Sequence, residues 1–315
     1  MKLPILSRIP PDIFPKGFND YLASNPSAHY KVYKIPKRTF GFRVIAQPTP
    51  ELKNIQRSII NRIKPLVRIH NSAKAYVDNV GIKENASVHI KSNYLLKLDL
   101  ENFFNSLTPP MLLNAIDYQN IELVDEEIYP LVELLFWNRT KKKTPNLVLS
   151  VGAPSSPFLS NLIMYEFDRI VTEYCGLNDV NYSRYADDLT FSTLNKGVLF
   201  NIPSFIEECL HELFKGKIKL NRSKTTFTSK AHNRHVTGIT LANNNKISLG
   251  RERKRYIRAL LHKFSTNSIK DKEDIEHLKG LIGFAKYIEP SFFDKMKVKY
   301  GEKLIFKLLK YDGIS

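Results

Sequence analysis

Tyr185-Ala186-Asp187-Asp188 constrains this chain more than any other stretch. Before it runs Val180-Asn181-Tyr182-Ser183-Arg184 and after it Leu189-Thr190-Phe191-Ser192, both aromatic, β-branched and alternating. Each flank reads as a strand, so the Asp pair is expected where a hairpin turns. A turn serving geometry alone would take Asn-Gly or Asp-Gly, which tolerate positive φ. Two adjacent carboxylates instead repel and raise each other's pKa unless a cation shares them. A divalent metal is the economical explanation; two solvated loop aspartates are the competing one.

Tyr94-Leu95-Leu96-Lys97-Leu98-Asp99-Leu100 reads as a second apolar strand ending in an acid, 88 residues before Asp187. A sheet that brought Asp99 to the hairpin would gather three carboxylates, the oxygen ligands Mg²⁺ prefers. Two-metal sites hold ions about 4 Å apart, one activating the attacking hydroxyl and one stabilising the leaving group. The alternative for Asp99 is an ordinary strand-end residue.

Around these strands, residues 30–45 alternate aromatic and basic side chains and predict a hairpin with positive charge on one face. Thr49-Pro50-Glu51 has the cap, first-turn proline and acid of a helix start, and apolar spacing carries that helix to Pro65. Helical segments are expected over 108–137, 158–174, 200–214, 251–264, 271–288 and 291–310. Strands are expected over 217–227 and in a pair within 235–249. Lys141-Lys142-Lys143-Thr144-Pro145 reads as a basic loop and Gly152-Ala153-Pro154-Ser155-Ser156-Pro157 as a tight one.

The 315-residue chain carries a formal charge of +17, distributed unevenly. Residues 215–315 hold 24 basic against 9 acidic side chains, while the first 214 hold 24 against 22. A polyanion bound by the C-terminal third is the expectation. Cys175 and Cys209 have no metal or disulfide spacing, no apolar run reaches the about 18 residues of a membrane span, and the proline-broken N-terminus lacks a signal-peptide core. These features predict a cytoplasmic protein without a membrane partner.

Leu98-Asp99-Leu100-Glu101-Asn102-Phe103-Phe104, Gly152–Pro157 and Tyr185–Asp188, in that order, resemble the motifs of reverse transcriptases. Matches run from about Tyr30 to about residue 290, and the whole chain is similar to the compact bacterial enzymes of retrons. Asn85-Ala86-Ser87-Val88-His89 resembles their NAxxH segment and Val236-Thr237-Gly238 their VTG signature. The resemblance implies an α+β, right-hand polymerase fold with fingers, an antiparallel-sheet palm and a helical basic thumb. Its parts would be a lead-in (1–28), fingers with the start of the palm (29–98), palm with finger insertions (99–235), and primer grip with thumb (236–315).

The resemblance also implies roles. Asp99, Asp187 and Asp188 would be catalytic and, with the Leu100 carbonyl, would hold two Mg²⁺ ions, for which Mn²⁺ could substitute. Arg43 and Lys37 or Arg38 would meet the incoming dNTP, with Phe104 as a steric gate against a ribose 2′-OH, and Gly152, Ala153 and Lys224 nearby. Asn85, His89, Pro154, Ser155, Val236, Thr237 and Gly238 would lie along the nucleic acid, and Arg251, Arg253, Lys254, Arg255 and Arg258 would form a phosphate track. Val151 stands where the family usually has Gln.

A retron enzyme would copy part of its own noncoding RNA into msDNA (a branched RNA–DNA product), priming from a guanosine 2′-OH. An effector or toxin protein in anti-phage defence and a host RNase H would be its partners, since the chain looks too short for an RNase H domain. Rival readings are a group II intron-like or diversity-generating reverse transcriptase, and a non-catalytic RNA-binding scaffold that controls a toxin.

Overall fold

A computed structural model describes residues 2, 4–15, 17–37, 41–140, 145–269 and 271–311. The first residues form short helical turns and one helix, α1 (Phe18–Ala23), and bury Ile5, Leu6, Ile9 and Phe14 in the main core. Then β1 (Tyr30–Pro36) and β2 (Phe42–Pro48) pair as the expected hairpin, but Lys31 and Lys34, three residues apart on one strand, fall on opposite faces, so the charge is not confined to one. Helix α2 (Pro50–Ile63) follows, its Thr49 Oγ1 accepting from the Leu52 N–H at 3.4 Å. Its buried Leu52, Ile55, Ile59 and Ile63 recur at helical spacing, which is why this stretch folds as a helix against the core.

The short α3 (Ile82–Ser87) leads to β3 (Tyr94–Asp99). Next come α4 (Phe103–Ser106), α5 (Pro109–Tyr118), α6 (Asp125–Leu135) and a small hairpin, β4 (Trp137–Asn138) with β5 (Leu147–Val148). Two helices follow, α7 (Ser156–Ile163) and α8 (Tyr165–Leu177), where one was expected; the chain bends at Met164 (ψ 3°). The hairpin β6 (Asn181–Tyr185) and β7 (Asp188–Thr193), helix α9 (Ile202–Phe214) and β8 (Thr226–Ser229) complete this half.

β3 lies inside a four-stranded sheet of order β6-β7-β3-β8, and all three ladders are antiparallel. Alternation puts Leu96 and Leu98 into the main core and Leu95 into a second core on the other face. Lys97 and Asp99 share the face of Leu95, so the acid is aimed away from the main core.

The C-terminal part begins with a three-stranded sheet, β9 (Arg234–Val236), β10 (Ile239–Leu241) and β11 (Ile247–Ser248). Helices α10 (Arg251–Ser265), α11 (Lys272–Ile288), α12 (Pro290–Tyr300) and α13 (Glu302–Leu309) close the second core around Ile257, Leu278, Ile282 and Leu308. The single helix expected over 291–310 is two, separated at Gly301 (φ 85°), a left-handed conformation that glycine adopts freely. The strand expected over 217–227 is corrected to Thr226–Ser229. Before it, the chain only touches the sheet's end through an isolated bridge between Leu220 and Leu100. Among the described residues no helix is long and apolar enough to cross a membrane.

Candidate active site

β3 ends beside the β6–β7 hairpin, and register decides which acids meet. Asp99 stands directly opposite Asp188, so both carboxylates project from one face of the sheet. The Leu100 N–H donates to the Asp187 carbonyl at 3.0 Å, which fastens the hairpin tip to the end of β3. Only Ala186 and Asp187 form the turn, whereas Asp188 is already a strand residue pairing with Tyr185. Ala186 has φ 58°, a conformation an alanine rarely adopts. A strained turn with a carboxylate at its second position is what presents Asp187 at the tip.

The charges of the three acids act on one another. Burial raises the Asp187 pKa above its ordinary value and the neighbouring Asp99 raises it further, against Lys224 and Arg43. Asp188 keeps access to water, yet enough protein surrounds it that desolvation, then Asp187 and Asp99, push it up to about 6. Lys224 donates to both carboxylate oxygens of Asp99, at 2.9 and 2.8 Å. Among the described residues no group of three His, Cys, Asp or Glu side chains is already arranged to grip a metal. The donor chemistry nevertheless fits a hard divalent cation: all-oxygen ligands that resist ionising together.

Beneath the hairpin lies a brace that the sequence reading missed. Arg184 and Asp168 are both fully buried and paired at 2.6 Å, and Tyr182 Oη adds a hydrogen bond to Asp168 at 2.8 Å. The same guanidinium donates to the Ala186 carbonyl at 3.2 Å and to Asn161 Oδ1 at 3.1 Å. Asn161 in turn donates to the Ala75 carbonyl at 2.8 Å. The backbone of Arg184 is also bonded to Ser72 and Lys74, so the segment before Tyr76 is held against the tip. An arginine that alternation places on the same face as Tyr182 was the available signal.

Tyr76 is the second residue missed. It has φ 60°, is half exposed, and its ring lies 6.3 Å from that of Phe104, which also packs on Phe103 at 5.4 Å. Burial and the charge of Asp187 raise the Tyr76 hydroxyl pKa, placing this aromatic pair beside the acids. On the β1–β2 hairpin, Arg43 is exposed and its charge reaches Asp187, while Lys37 is exposed just past the end of β1. Arg38 lies outside the described residues, as do residues 141–144 of the basic loop.

The Gly152 loop is built for contact within the protein. A Cβ at Gly152 (φ 120°) would meet Ile45 Cγ2 at 3.1 Å and the Ala46 carbonyl at 3.2 Å. The Ala46 N–H donates to the Val151 carbonyl at 3.0 Å, and Ser150 Oγ donates to the Ala46 carbonyl. Absence of a side chain at Gly152 thus lets the loop pack directly on β2. Ala153 and Ser155 are buried, with the Ser155 hydroxyl unpartnered in the interior, and Pro154 is half exposed.

Asn85 and His89 are corrected from nucleic-acid contacts to buried ties, because 1% and 0% of their surface is open. Ser92 Oγ donates to Ser192 Oγ at 2.9 Å, and Ser192 meets His89 Nδ1 at 2.7 Å. His89 Nε2 meets Ser183 Oγ at 2.8 Å, Ser183 donates to Asn85 Oδ1 at 2.6 Å, and Asn85 Nδ2 donates to Thr237 Oγ1 at 3.4 Å. Burial drives the His89 pKa down to about 3, so a neutral ring completes this relay. The two short segments thus touch: Thr237 (φ 46°) and Gly238 (φ 78°) form the β9–β10 turn, held against α3. Val236 itself is fully buried.

On α10, Arg251, Arg255 and Arg258 are exposed, whereas two of the expected phosphate contacts are committed internally. Lys254 pairs with Glu289 at 2.5 Å, and Arg253 donates to the Gly238 carbonyl at 3.1 Å while lying 5.0 Å over the Phe284 ring.

With this geometry in place, comparison with known proteins is specific. The model of the reverse transcriptase (RNA-dependent DNA polymerase) family matches residues 35–241. The chain is 53% identical to the Retron Ec83 reverse transcriptase of Escherichia coli over 93% of this chain and 94% of that protein. It is 31% identical to the Retron Ec73 reverse transcriptase of the same species, over 92% of each. The solved structure of apo telomerase from Candida tropicalis superposes with a TM-score of 0.50 at 13% identity, over 89% of this chain and 57% of the telomerase chain; that likeness concerns the fold.

Proposed function

This chain belongs to the retron reverse transcriptase family and is an RNA-directed DNA polymerase, and on that premise we propose that it copies part of its own structured noncoding RNA into msDNA. Synthesis starts from a guanosine 2′-OH of that RNA, and the product serves an anti-phage defence system with an effector protein. The observation that carries the polymerase centre is the convergence of Asp99, Asp187 and Asp188 at one end of the central strand.

Mg²⁺, or Mn²⁺ in its place, would be held by these three carboxylates and the Leu100 carbonyl, where it supplies Lewis acidity for phosphoryl transfer. The protein's own residues do the rest. The strained Ala186 turn and the Arg184–Asp168 brace hold Asp187 in place before substrate arrives. Lys224 balances the Asp99 carboxylate, donating to both of its oxygens. Arg43 and Lys37, exposed on the fingers, offer charge to the triphosphate. Phe104, backed by Tyr76 and Phe103, closes the space that a ribose 2′-OH would need. The 2′-OH and A-form shape of the template strand give the enzyme features to read without sequence.

The test is expression of the chain with its upstream noncoding region, followed by a denaturing gel of the extracted nucleic acid. A short DNA whose mobility shifts both with RNase A and with debranching enzyme is expected, and is absent for Asp187→Asn, Asp188→Asn. DNA that ignores debranching enzyme would refute 2′-OH priming, and DNA made by the double variant would refute the acidic centre.

A further inference from the structure

A cleft of about 290 Å³ opens along the stretch that follows Asp99, lined in part by Glu101, Asn102, Asn105, Arg139, Lys217 and Lys219. Three separate segments of chain bring these residues together. Lys217 and Lys219 alternate with the buried Ile218 and Leu220, so both ammonium groups extend on the side away from the core. The Glu101 N–H donates to the Lys219 carbonyl at 2.8 Å, which fixes that segment beside the end of the central strand. Arg139 belongs to the β4–β5 hairpin, where its N–H donates to the Asn146 carbonyl at 3.0 Å. Asn105 Nδ2 donates to the Leu149 carbonyl at 2.9 Å and ties α4 to the exit of that same hairpin.

The electrostatics of this cleft differ from those of its surroundings. Arg222 is satisfied by Glu207 at 2.7 Å and Lys224 by Asp99 at 2.8 Å. Among the described residues, neither Arg139 nor Lys217 nor Lys219 has an ion-pair partner. Three cations against the one carboxylate of Glu101 leave an excess of two positive charges around a cavity that also offers amide and hydroxyl groups. Cations that converge without partners are relieved by a shared anion, and a mixture of cationic and neutral donors suits phosphate oxygens. An excess this small matches one or two phosphate groups rather than a long track.

We propose that this cleft is a phosphate-binding subsite of the enzyme, separate from the finger cations Lys37 and Arg43. Polymerisation provides two sources of that chemistry. The attacking hydroxyl oxygen bonds to the α-phosphorus and loses its proton to water, the bond from that phosphorus to the α–β bridging oxygen breaks, and inorganic pyrophosphate departs beside the acids. The template and primer supply diester phosphates. The proposal rests on the polymerase reading only for which source fills the site, so its test reads binding and needs no turnover.

Two dissociation constants decide it, each measured on the full chain with and without Arg139→Gln, Lys217→Gln and Lys219→Gln together. One is for inorganic pyrophosphate by calorimetry in EDTA; the other is for a primed RNA across a salt series. All three side chains are exposed, and an unchanged thermal midpoint checks the fold; Lys219→Gln alone serves if the triple variant melts early. A loss of at least about fivefold in pyrophosphate affinity with RNA binding unchanged assigns the site to the departing anion. A weaker RNA affinity whose salt slope falls by about 2 assigns it to backbone phosphates, since each neutralised phosphate adds somewhat less than one to that slope. If neither constant moves, the cleft binds no phosphate and the proposal is overturned.

Discussion

Asp188 faces Asp99 across the ladder, and burial adds to the like-charge repulsion that Asp188 meets there. Its pKa stands at about 6 against an ordinary 3.8, with desolvation as the first cause and the two neighbouring acids next. The unfolded chain ionises this group freely, whereas the folded protein resists, so metal-free stability attributable to it declines as pH rises from about 4 through 6. Asp188→Asn removes that decline. In EDTA its thermal midpoint should exceed that of the parent at pH 8 and match it at pH 4, read by circular dichroism at both pH values. A lower midpoint at pH 8 would mean that Asp188 is held by contacts that outweigh its neighbours' repulsion. The acids were legible in the sequence because each carries a local signal, a strand end or a carboxylate pair in place of turn residues. Tyr76 gave no such signal: its value lies in a positive φ and in contact with Phe104, which are properties of the folded chain.

The β6–β7 hairpin depends on an ion pair that no solvent reaches. Arg184 and Asp168 are 0% exposed, and Tyr182, Asn161 and the Ala186 carbonyl complete the hydrogen bonds of the pair. Removing one partner strands a charge in the interior, which costs about 3–5 kcal/mol, whereas replacing both with apolar groups is often neutral. Arg184→Met should therefore lower urea stability by about that amount and abolish polymerisation, and Arg184→Met with Asp168→Leu should recover most of the stability. Equal stability losses in the single and double variants would show that the brace works by packing alone. This element was half legible. Alternation announced both strands, but a partner 16 residues earlier on a helix cannot be read from periodicity. The same limit explains the strand expected from residue 217: Lys217-Ile218-Lys219-Leu220 alternates like a strand, yet tertiary packing uses only its apolar side and grants it one bridge.

Across the whole molecule the basic residues concentrate where the second core lies, the helices after residue 250, as the uneven charge had announced. What the charge count could not show is how those cations divide between binding and structure. Burial opposes ionisation of Glu289, yet Lys254, the Leu249 N–H and the Ser248 hydroxyl hold its carboxyl below the usual range. The pair Lys254–Glu289 thereby joins α10 to the start of α12, beside the Phe292 ring. Arg251 and Arg255, one and five residues into the same helix, are exposed and form no ion pair among the described residues. Neutralising the two kinds should then have opposite signatures. Arg251→Gln and Arg255→Gln are expected to leave the thermal midpoint unchanged and to reduce the salt slope for a primed RNA by about 0.7–0.9 each. Lys254→Gln is expected to lower the midpoint, because Glu289 loses its counter-charge in a half-buried setting, while the slope changes by less than about 0.3. The measurement is a filter-binding series from low to high salt with a melt of each variant. A Lys254 variant that behaves like the Arg255 variant would place Lys254 on the nucleic acid and make the α10–α12 pair incidental to the stability of these helices.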